Sequence, residues 1–401
     1  MMHLVLFDNE IREQLLPLTF LRPVGALRVG ILTIQEKWER TLACPVSFLT
    51  QDYLSDKYEM DYGEENLLIN GSLLPTPQMV RLIQQMEFSD ALLLNGELLA
   101  AKLTGKQIEQ LIQDKDFGDL TGYEVNDTEV LKLSGVYDIF QLNQAALELD
   151  FQLITAGRKS APLSASNRLI GPAERLFIEK GAEIECAILN TKNGPIYIGR
   201  NALVMEGAMI RGAFAMGEDA VIKMGAKIYG ATTLGPGCKV GGEVNNSVLQ
   251  ANSNKGHDGY LGNSVLGEWC NIGADTNCSN LKNTYEEVKL WNYPAGRFLG
   301  TGLQFCGLIL ADHVKVGINT MFNTGTVVGV AANVFGTGFP RNFIPSFSWG
   351  GPQGLSTYRT AKAFAMMERV LERRQQELSV QDRLILLRVF EDTAQYRSWD
   401  K

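Results

Sequence analysis

One register of apolar residues constrains this chain more than any other feature. From Ile198 every sixth residue is apolar: Ile198, Val204, Ile210, Met216, Ile222, Ile228, Leu234 and Val240. Four places after each stands a mostly small residue: Ala202, Ala208, Phe214, Ala220, Ala226, Thr232, Cys238 and Val244. The pattern resumes at Leu266 and Ile272, and again from Leu310 through Val316, Phe322, Val328 and Val334. A period of six suits neither a helix nor a plain amphipathic strand. It suits short strands bent at regular corners. The apolar residue then points into a narrow prism, the small one packs beside it, and Gly or Asn takes the strained corner. Of the 40 glycines, 27 fall between Gly171 and Gly338, where such corners need them.

This periodicity resembles the left-handed parallel β-helix of hexapeptide-repeat acyltransferases. That resemblance implies a homotrimer. The β-helix domain is expected over 166–345. The period breaks at about 245–260 and at 279–305. Insertions in a solenoid map to loops on one face, often the binding face, so both breaks are expected to carry chemistry.

Residues 1–160 lack the six-residue period. Apolar runs at 46–48, 66–69 and 91–94 alternate with helical stretches at 78–86 and 106–113, an α/β pattern. A Ser- and Ala-rich stretch at 156–168 reads as a linker. A helical tail is expected over 355–401, with one helix over 360–378 and a second opened by Ser379 and Asp382 as its N-cap. Arg369, Arg373 and Arg374 cluster on the first of these helices. They read either as a solvated face or as a phosphate contact for coenzyme A or a trimer neighbour.

Composition narrows the classes. With 45% hydrophobic and 20% charged residues, the chain is globular. Its net charge of -8 argues against general nucleic-acid or anionic-membrane binding. No apolar run is long enough for a membrane span. The start, Met1 to Asp8, reads as a first β-strand rather than a signal peptide. Six scattered cysteines without a Cys-x-x-Cys pair suggest reduced thiols, a cytoplasmic location and no cysteine zinc site.

Only three histidines occur, His3, His257 and His313, and with just two of them in the repeat region a three-histidine zinc site in the coil is not expected. His257 lies in the first break, in Lys255-Gly256-His257-Asp258-Gly259-Tyr260-Leu261-Gly262-Asn263. Asn271-Ile272-Gly273-Ala274 and Cys278-Ser279-Asn280 follow. Acetyl transfer to an amine needs a base that takes the amine proton near neutral pH, and histidine suits that task. The run resembles the acetyltransferase half of the bifunctional N-acetylglucosamine-1-phosphate uridyltransferase/glucosamine-1-phosphate acetyltransferase family. By that resemblance His257 is the general base and Lys255, in the same motif, is a substrate-binding residue. Tyr260 and Asn271 would hold the sugar phosphate and hydroxyls, and Asn280 would orient the acetyl carbonyl or His257. The family's phosphate-binding Arg has Lys223 as its replacement here, and Asn245 falls near the family's phosphate-binding Lys. Asp275 replaces the second Gly of Gly-Ala-Gly. These departures leave room for a different amino sugar.

The N-terminal segment resembles a sugar nucleotidyltransferase of a divergent branch of these fused enzymes, known from Bacteroidetes-type bacteria. Its residues are Phe7-Asp8, Leu16-Pro17-Leu18-Thr19, Arg22-Pro23, Leu27-Arg28-Val29-Gly30 and Tyr137-Asp138-Ile139-Phe140. The usual Gly-rich phosphate loop is absent. Arg22 and Arg28 are candidates for the triphosphate or, alternatively, structural ion-pair partners. Asn70 lies in Asn70-Gly71-Ser72-Leu73-Leu74-Pro75, where the family has Gly-Asp-x-Pro-Leu, and is expected at the nucleotide. Asp8 and Asp138 are candidate Mg²⁺ ligands. The implied activity is acetyl transfer from acetyl-CoA to glucosamine-1-phosphate, then uridylyl transfer from UTP. The product would be UDP-N-acetylglucosamine, a cell-wall precursor. The alternative is an acetyltransferase for another amino sugar, with an N-terminal domain that only binds nucleotide or serves as a scaffold.

Overall fold

The structure is a computed structural model that describes residues 2–114 and 119–400. The chain divides into two compact units. The first comprises Met1–Leu15, Arg22–Leu27 and Leu32–Ser134, and the second Leu16–Leu21, Arg28–Ile31 and Gly135–Lys401.

The first unit is built on a six-stranded mixed sheet of order β2-β1-β3-β5-β4-β6. Its strands are β1 (Met2–Phe7), β2 (Val46–Leu49), β3 (Glu65–Asn70), β4 (Asp90–Leu94), β5 (Glu97–Thr104) and β6 (Thr121–Glu124). β1 runs parallel to β2 and β3, whereas β5 is antiparallel to β3 and β4. Leu4, Val5, Leu6 and Phe7 are all buried, the continuous apolar run expected of a strand covered on both faces. Helix α1 (Ile34–Leu42) opens on a capping box. The Thr33 side chain accepts from the Glu36 N–H at 3.1 Å, and Glu36 accepts from the Thr33 N–H at 2.7 Å. Its Trp38 is fully buried, and Nε1 donates to Leu73 O at 2.8 Å. Helices α2 (Pro77–Gln84) and α3 (Gly105–Asp114) match the stretches read as helical.

The second unit is dominated by a left-handed parallel β-helix whose three faces are sheets of six, nine and ten strands. The six-residue register supplies the interior columns. In the nine-stranded sheet Ile178, Ile198, Met216, Leu234, Leu249 and Leu266 stack in direct register. In the ten-stranded sheet Ile184, Val204, Ile222 and Val240 do the same. All of them are buried, as are the small residues Ala202, Ala208, Ala220 and Ala226. Each interior aliphatic side chain contributes roughly 1.5–3 kcal/mol of burial. Strands of two or three residues thus persist only because rungs stack. Corners use left-handed backbone, with Asn201 at φ 54° and Asp219 at φ 56°. Asn and Asp tolerate that region better than branched residues.

The two breaks differ in kind. At the first, the coil shortens rather than loops out. Val240 pairs with Lys255, fifteen positions on, where Ile222 and Val240 are eighteen apart. The expectation of an inserted loop at 245–260 is therefore corrected: tightened corners break the period while the strands continue. The second break is a true insertion. It carries an antiparallel hairpin, Lys289–Asn292 with Arg297–Gly300, before Leu310 rejoins Leu266 in register.

The second unit begins earlier than the expected division near 160. Helix α4 (Asn143–Thr155) belongs to it, and its first residue explains why. Asn143 is fully buried, accepts from Gly30 N at 2.7 Å, donates to Ala231 O at 2.7 Å and bonds Thr233. At the other end, a hairpin (Ser348–Gly351 with Gly354–Thr357) closes the ten-stranded sheet, followed by α5 (Thr360–Glu372) and α6 (Val380–Asp392). α5 ends six residues before the expected 378, and Gln375 turns left-handed at φ 56°. α6 opens on the Ser379–Asp382 capping box as expected.

Replacing Asn143 by Ala would strand the Gly30 N–H and the Ala231 carbonyl in a dry interior. The expected loss is roughly 2–5 kcal/mol of unfolding free energy, read by chemical denaturation. A loss below about 1 kcal/mol would show that these bonds do not hold α4 to the coil.

Candidate active site

His257 sits at a corner of the prism. It follows the strand Asn254–Lys255 of the ten-stranded sheet and precedes Tyr260–Gly262 of the six-stranded one. Its side chain is exposed, and among the described residues the imidazole has no hydrogen-bond partner. Gly259 makes the corner possible. Its φ is 114°, and a Cβ there would collide with the Thr276 carbonyl. Asp275, which stands where the related motif has Gly, takes φ 57°. A short polar side chain tolerates that conformation, so the substitution leaves the corner intact.

Three sequence candidates flank this corner on its two sides. On the six-stranded side Asn280 Nδ2 donates to Tyr260 Oη at 3.0 Å and to Asn263 Oδ1 at 2.7 Å. On the ten-stranded side Asn254 Nδ2 donates to Asn271 Oδ1 at 2.9 Å. Tyr260 and Asn280 are thus brought together, and Asn271 lies across the corner from them.

Lys255 is placed where sequence reasoning did not expect it. It occupies the interior column between Val240 and Ile272 and is almost fully buried. Its Nζ donates to Gly241 O and to His257 O, both at 2.9 Å. The ammonium therefore pins the backbone of the His257 corner rather than facing outward. Burial pushes it down to about 8.

Lys223 stands on the same corner as His257. Its N–H donates to Val240 O, and Gly241 N–H donates in turn to Lys255 O. Around it gather cations the sequence did not group. Arg374, from just beyond α5, donates to Gly237 O at 3.0 Å. Lys239 is held below its ordinary value first by burial and then by Arg374, Lys223 and Arg373. Among the described residues no salt bridge neutralises Lys223, Lys239 or Arg373. Four convergent cations of this kind suit a phosphate. Arg373 and Arg374 were legible as a cluster on a helix, but their meeting with Lys223 is tertiary. Asn245 lies in the six-stranded sheet, paired with Tyr229 and Gly262. His313 is buried at a later corner with φ 62°.

The nucleotide candidates fall in different places. In the first unit Asp8, Asn9 and Asn70 lie at the carboxyl ends of the parallel strands β1 and β3, where open α/β sheets bind ligands. Asn70 donates to Glu97 Oε1 at 3.1 Å and accepts from Ser72 Oγ at 2.7 Å. Asn9 donates to the same Glu97 oxygen at 3.0 Å, and Lys132 pairs with the carboxylate's other oxygen. Glu97 and Lys132 were missed because no local motif marks them. Arg22 is buried. Arg28 belongs to the second unit. Its N–H donates to Gln250 Oε1 at 2.6 Å, its Nε to Gln250 O at 3.1 Å and its Nη1 to Ile31 O. Of the two roles the sequence left open, this geometry favours a structural one.

The metal candidates do not fit Mg²⁺. The side chain of Asp8 is almost fully enclosed. One oxygen accepts from Val24 N at 2.9 Å, the other from Thr50 Oγ1 at 2.6 Å, and Arg12 lies 3.6 Å away. A guanidinium already occupies the place of a cation. Asp138 accepts from Gly135 N at 2.9 Å at the start of its own helical turn. Among the described residues no three His, Cys, Asp or Glu side chains cluster as a metal site.

Residues 4–159 match the model of the family described as sugar nucleotidyl transferase. The chain carries a sugar nucleotidyl transferase domain at its N-terminus. A bifunctional sugar-1-phosphate nucleotidylyltransferase/acetyltransferase of Sulfurisphaera tokodaii is 33% identical over 93 residues, 23% of each chain. The bifunctional protein GlmU of Methanocaldococcus jannaschii is 36% identical over 87 residues, 22% of this chain and 21% of that one. An uncharacterized acetyltransferase of Escherichia coli, YaiX, is 30% identical over 153 residues, 37% of this chain and 66% of that one. The matches thus span under a quarter of the two bifunctional relatives. No helix among the described residues is long and apolar enough to cross a membrane.

Two predictions follow from the buried cations. Because the folded state holds Lys255 near 8 and the unfolded chain near 10.5, the unfolded state binds more protons between those values. Stability should therefore rise with pH across that window, by roughly 3 kcal/mol from this group. Lys315, pushed by burial to about 8, adds a second such rise. Lys255→Met should lose its share of the rise, giving a shallower curve in denaturant titrations from about pH 7.5 to about pH 10.5; an unchanged slope would refute the buried charge. Arg28→Met should lower the stability of the second unit and leave nucleotide affinity within about twofold. A large loss of affinity with no loss of stability would restore Arg28 to the nucleotide.

Proposed function

We propose that this chain is a bifunctional sugar-nucleotide enzyme. Its coil would acetylate glucosamine-1-phosphate from acetyl-CoA, and its N-terminal domain would then transfer a uridylyl group from UTP to give UDP-N-acetylglucosamine. The observation that carries the first half is the corner at His257. An exposed imidazole stands there between Tyr260 and Asn280 on one side and Asn271 on the other, with Lys223 on the same edge and Lys239 on the adjoining ten-stranded face.

In this reading the sugar phosphate rests on Lys223, with Lys239 and the arginines beyond α5 lending charge. Tyr260, Asn271 and Asn280 contact the sugar or the acetyl carbonyl. The amine nitrogen attacks the thioester carbonyl while His257 takes its proton. The tetrahedral intermediate then collapses, and the thiolate of coenzyme A leaves and recovers that proton. Lys255 holds the His257 backbone in place and touches no substrate, so it is a positioning residue. A homotrimer fits the exposed Ile188 and Met209, which are 41% and 45% accessible on the six-stranded face.

A second reading concerns the N-terminal domain alone: it binds sugar nucleotide without turnover. The Arg12 guanidinium beside Asp8 favours it, because that carboxylate is not poised to hold a metal. A thermal shift with UTP but no pyrophosphate release would select this reading.

The test of the acetyl transfer is thiol release from acetyl-CoA with glucosamine-1-phosphate. Wild type should turn over, and His257→Ala should lose about 10²-fold or more in kcat, the scale of a lost general base. Lys223→Ala should mainly raise KM for the sugar phosphate, by about tenfold. Equal rates for wild type and His257→Ala would sink the proposal. Absence of turnover with this acceptor, but turnover with another amino sugar, would replace the substrate.

A further inference from the structure

The insertion at the second break builds a feature that the His257 chemistry does not use. Its hairpin and the last coils enclose an open cleft of about 680 Å³, within the range of small-molecule sites. The cleft lies entirely within the second unit. Trp291 and Phe298 come from facing positions of the hairpin, and Phe343 from the final rung of the nine-stranded sheet. Trp291 stacks on Phe343 with centroids 4.1 Å apart and planes 8° apart, and Phe298 stands edge-on to Trp291 at 5.4 Å. Tyr396 braces both Trp291 and Phe343 edge-on, at 6.1 and 5.7 Å. The slab is therefore locked from behind, while Phe298 remains 40% accessible at the mouth.

Three cations line the same cleft, Lys282, Lys289 and Arg341, and no carboxylate does. Lys282 Nζ donates to Glu287 O at 2.6 Å and keeps two further N–H donors. Lys289 and Arg341 have no salt-bridge partner among the described residues. Like charges gathered without counter-charge repel one another, and an anion relieves that repulsion. An inorganic anion would not need the aromatic slab, and an apolar chain would not need the cations. A planar base joined to phosphates needs both, through stacking and charge-assisted hydrogen bonds.

We infer that the cleft between the inserted hairpin and the last coils binds a nucleotide, its base against Phe298 and the Trp291–Phe343 slab and its phosphates on Lys289, Arg341 and Lys282. Two ligands share that chemistry: coenzyme A, through its phosphorylated adenosine diphosphate end, and a uridine diphosphate sugar. The site does not depend on His257.

The test uses the full chain. Binding of coenzyme A, of UDP-N-acetylglucosamine and of inorganic phosphate is measured by calorimetry on wild type, on Lys289→Ala/Arg341→Ala and on Phe298→Ala. Thermal melts confirm that each variant folds, as expected for exposed side chains. At least one of the two nucleotides should bind about tenfold or more weakly to both variants, and the one that does identifies the ligand. His257→Ala should bind it as wild type does. The inference is overturned if neither nucleotide loses more than about twofold in either variant, or if inorganic phosphate displaces the nucleotide at equal concentration. Retained nucleotide binding with no acetyl transfer to any amino sugar would count against the proposed function and leave this site standing.

Discussion

Everything in the second unit depends on side chains stacking on their counterparts one coil away. No strand of the coil is long enough to hold itself, and many have only two residues. Their stability comes from columns such as Ile184, Val204, Ile222 and Val240, which exclude water along the axis. The same stacking brings corners from successive coils onto one edge. That is how Lys223 and His257, far apart in sequence, come to share an edge, while Arg374 reaches Gly237 at the corner that opens the neighbouring strand of the ten-stranded face.

Against that background Lys255 is the informative exception. A lysine in an aliphatic column forgoes burial worth roughly 1.5–3 kcal/mol and must desolvate its charge. The structure offsets this with two carbonyl acceptors, one belonging to His257 itself. Local rules tend to be broken at functional sites, and this breach lies directly under the proposed base. Lys315 repeats the device later in the ten-stranded sheet, where its ammonium bonds Trp269 O.

Much of this was legible in the sequence. The six-residue register located the coil, and the residues it marked are the buried ones. The nearness of Tyr260 and Asn280 to the His257 corner was legible too, because those residues lie on adjacent rungs. The first break misled for a physical reason: a shortened coil and an inserted loop interrupt a period in the same way, and only pairing distinguishes them. Lys255 was accordingly read as a substrate-binding residue of the motif, whereas its pairing places it in the interior column. The meeting of Lys239, Arg373 and Arg374 with Lys223 was invisible because it is made by a helix more than a hundred residues downstream. Glu97 and Lys132 were missed likewise, since they join Asn9 and Asn70 only across strands. Arg28 carried two roles in the sequence, and Gln250 decides between them by bonding both its backbone and its guanidinium.

The most direct test of the central claim is a crystal structure of the full chain with glucosamine-1-phosphate and coenzyme A. The account predicts the sugar amine within hydrogen-bond reach of the His257 imidazole, with the phosphate on Lys223 and its neighbouring cations. A sugar phosphate bound elsewhere on the coil, with His257 facing only solvent, would contradict it.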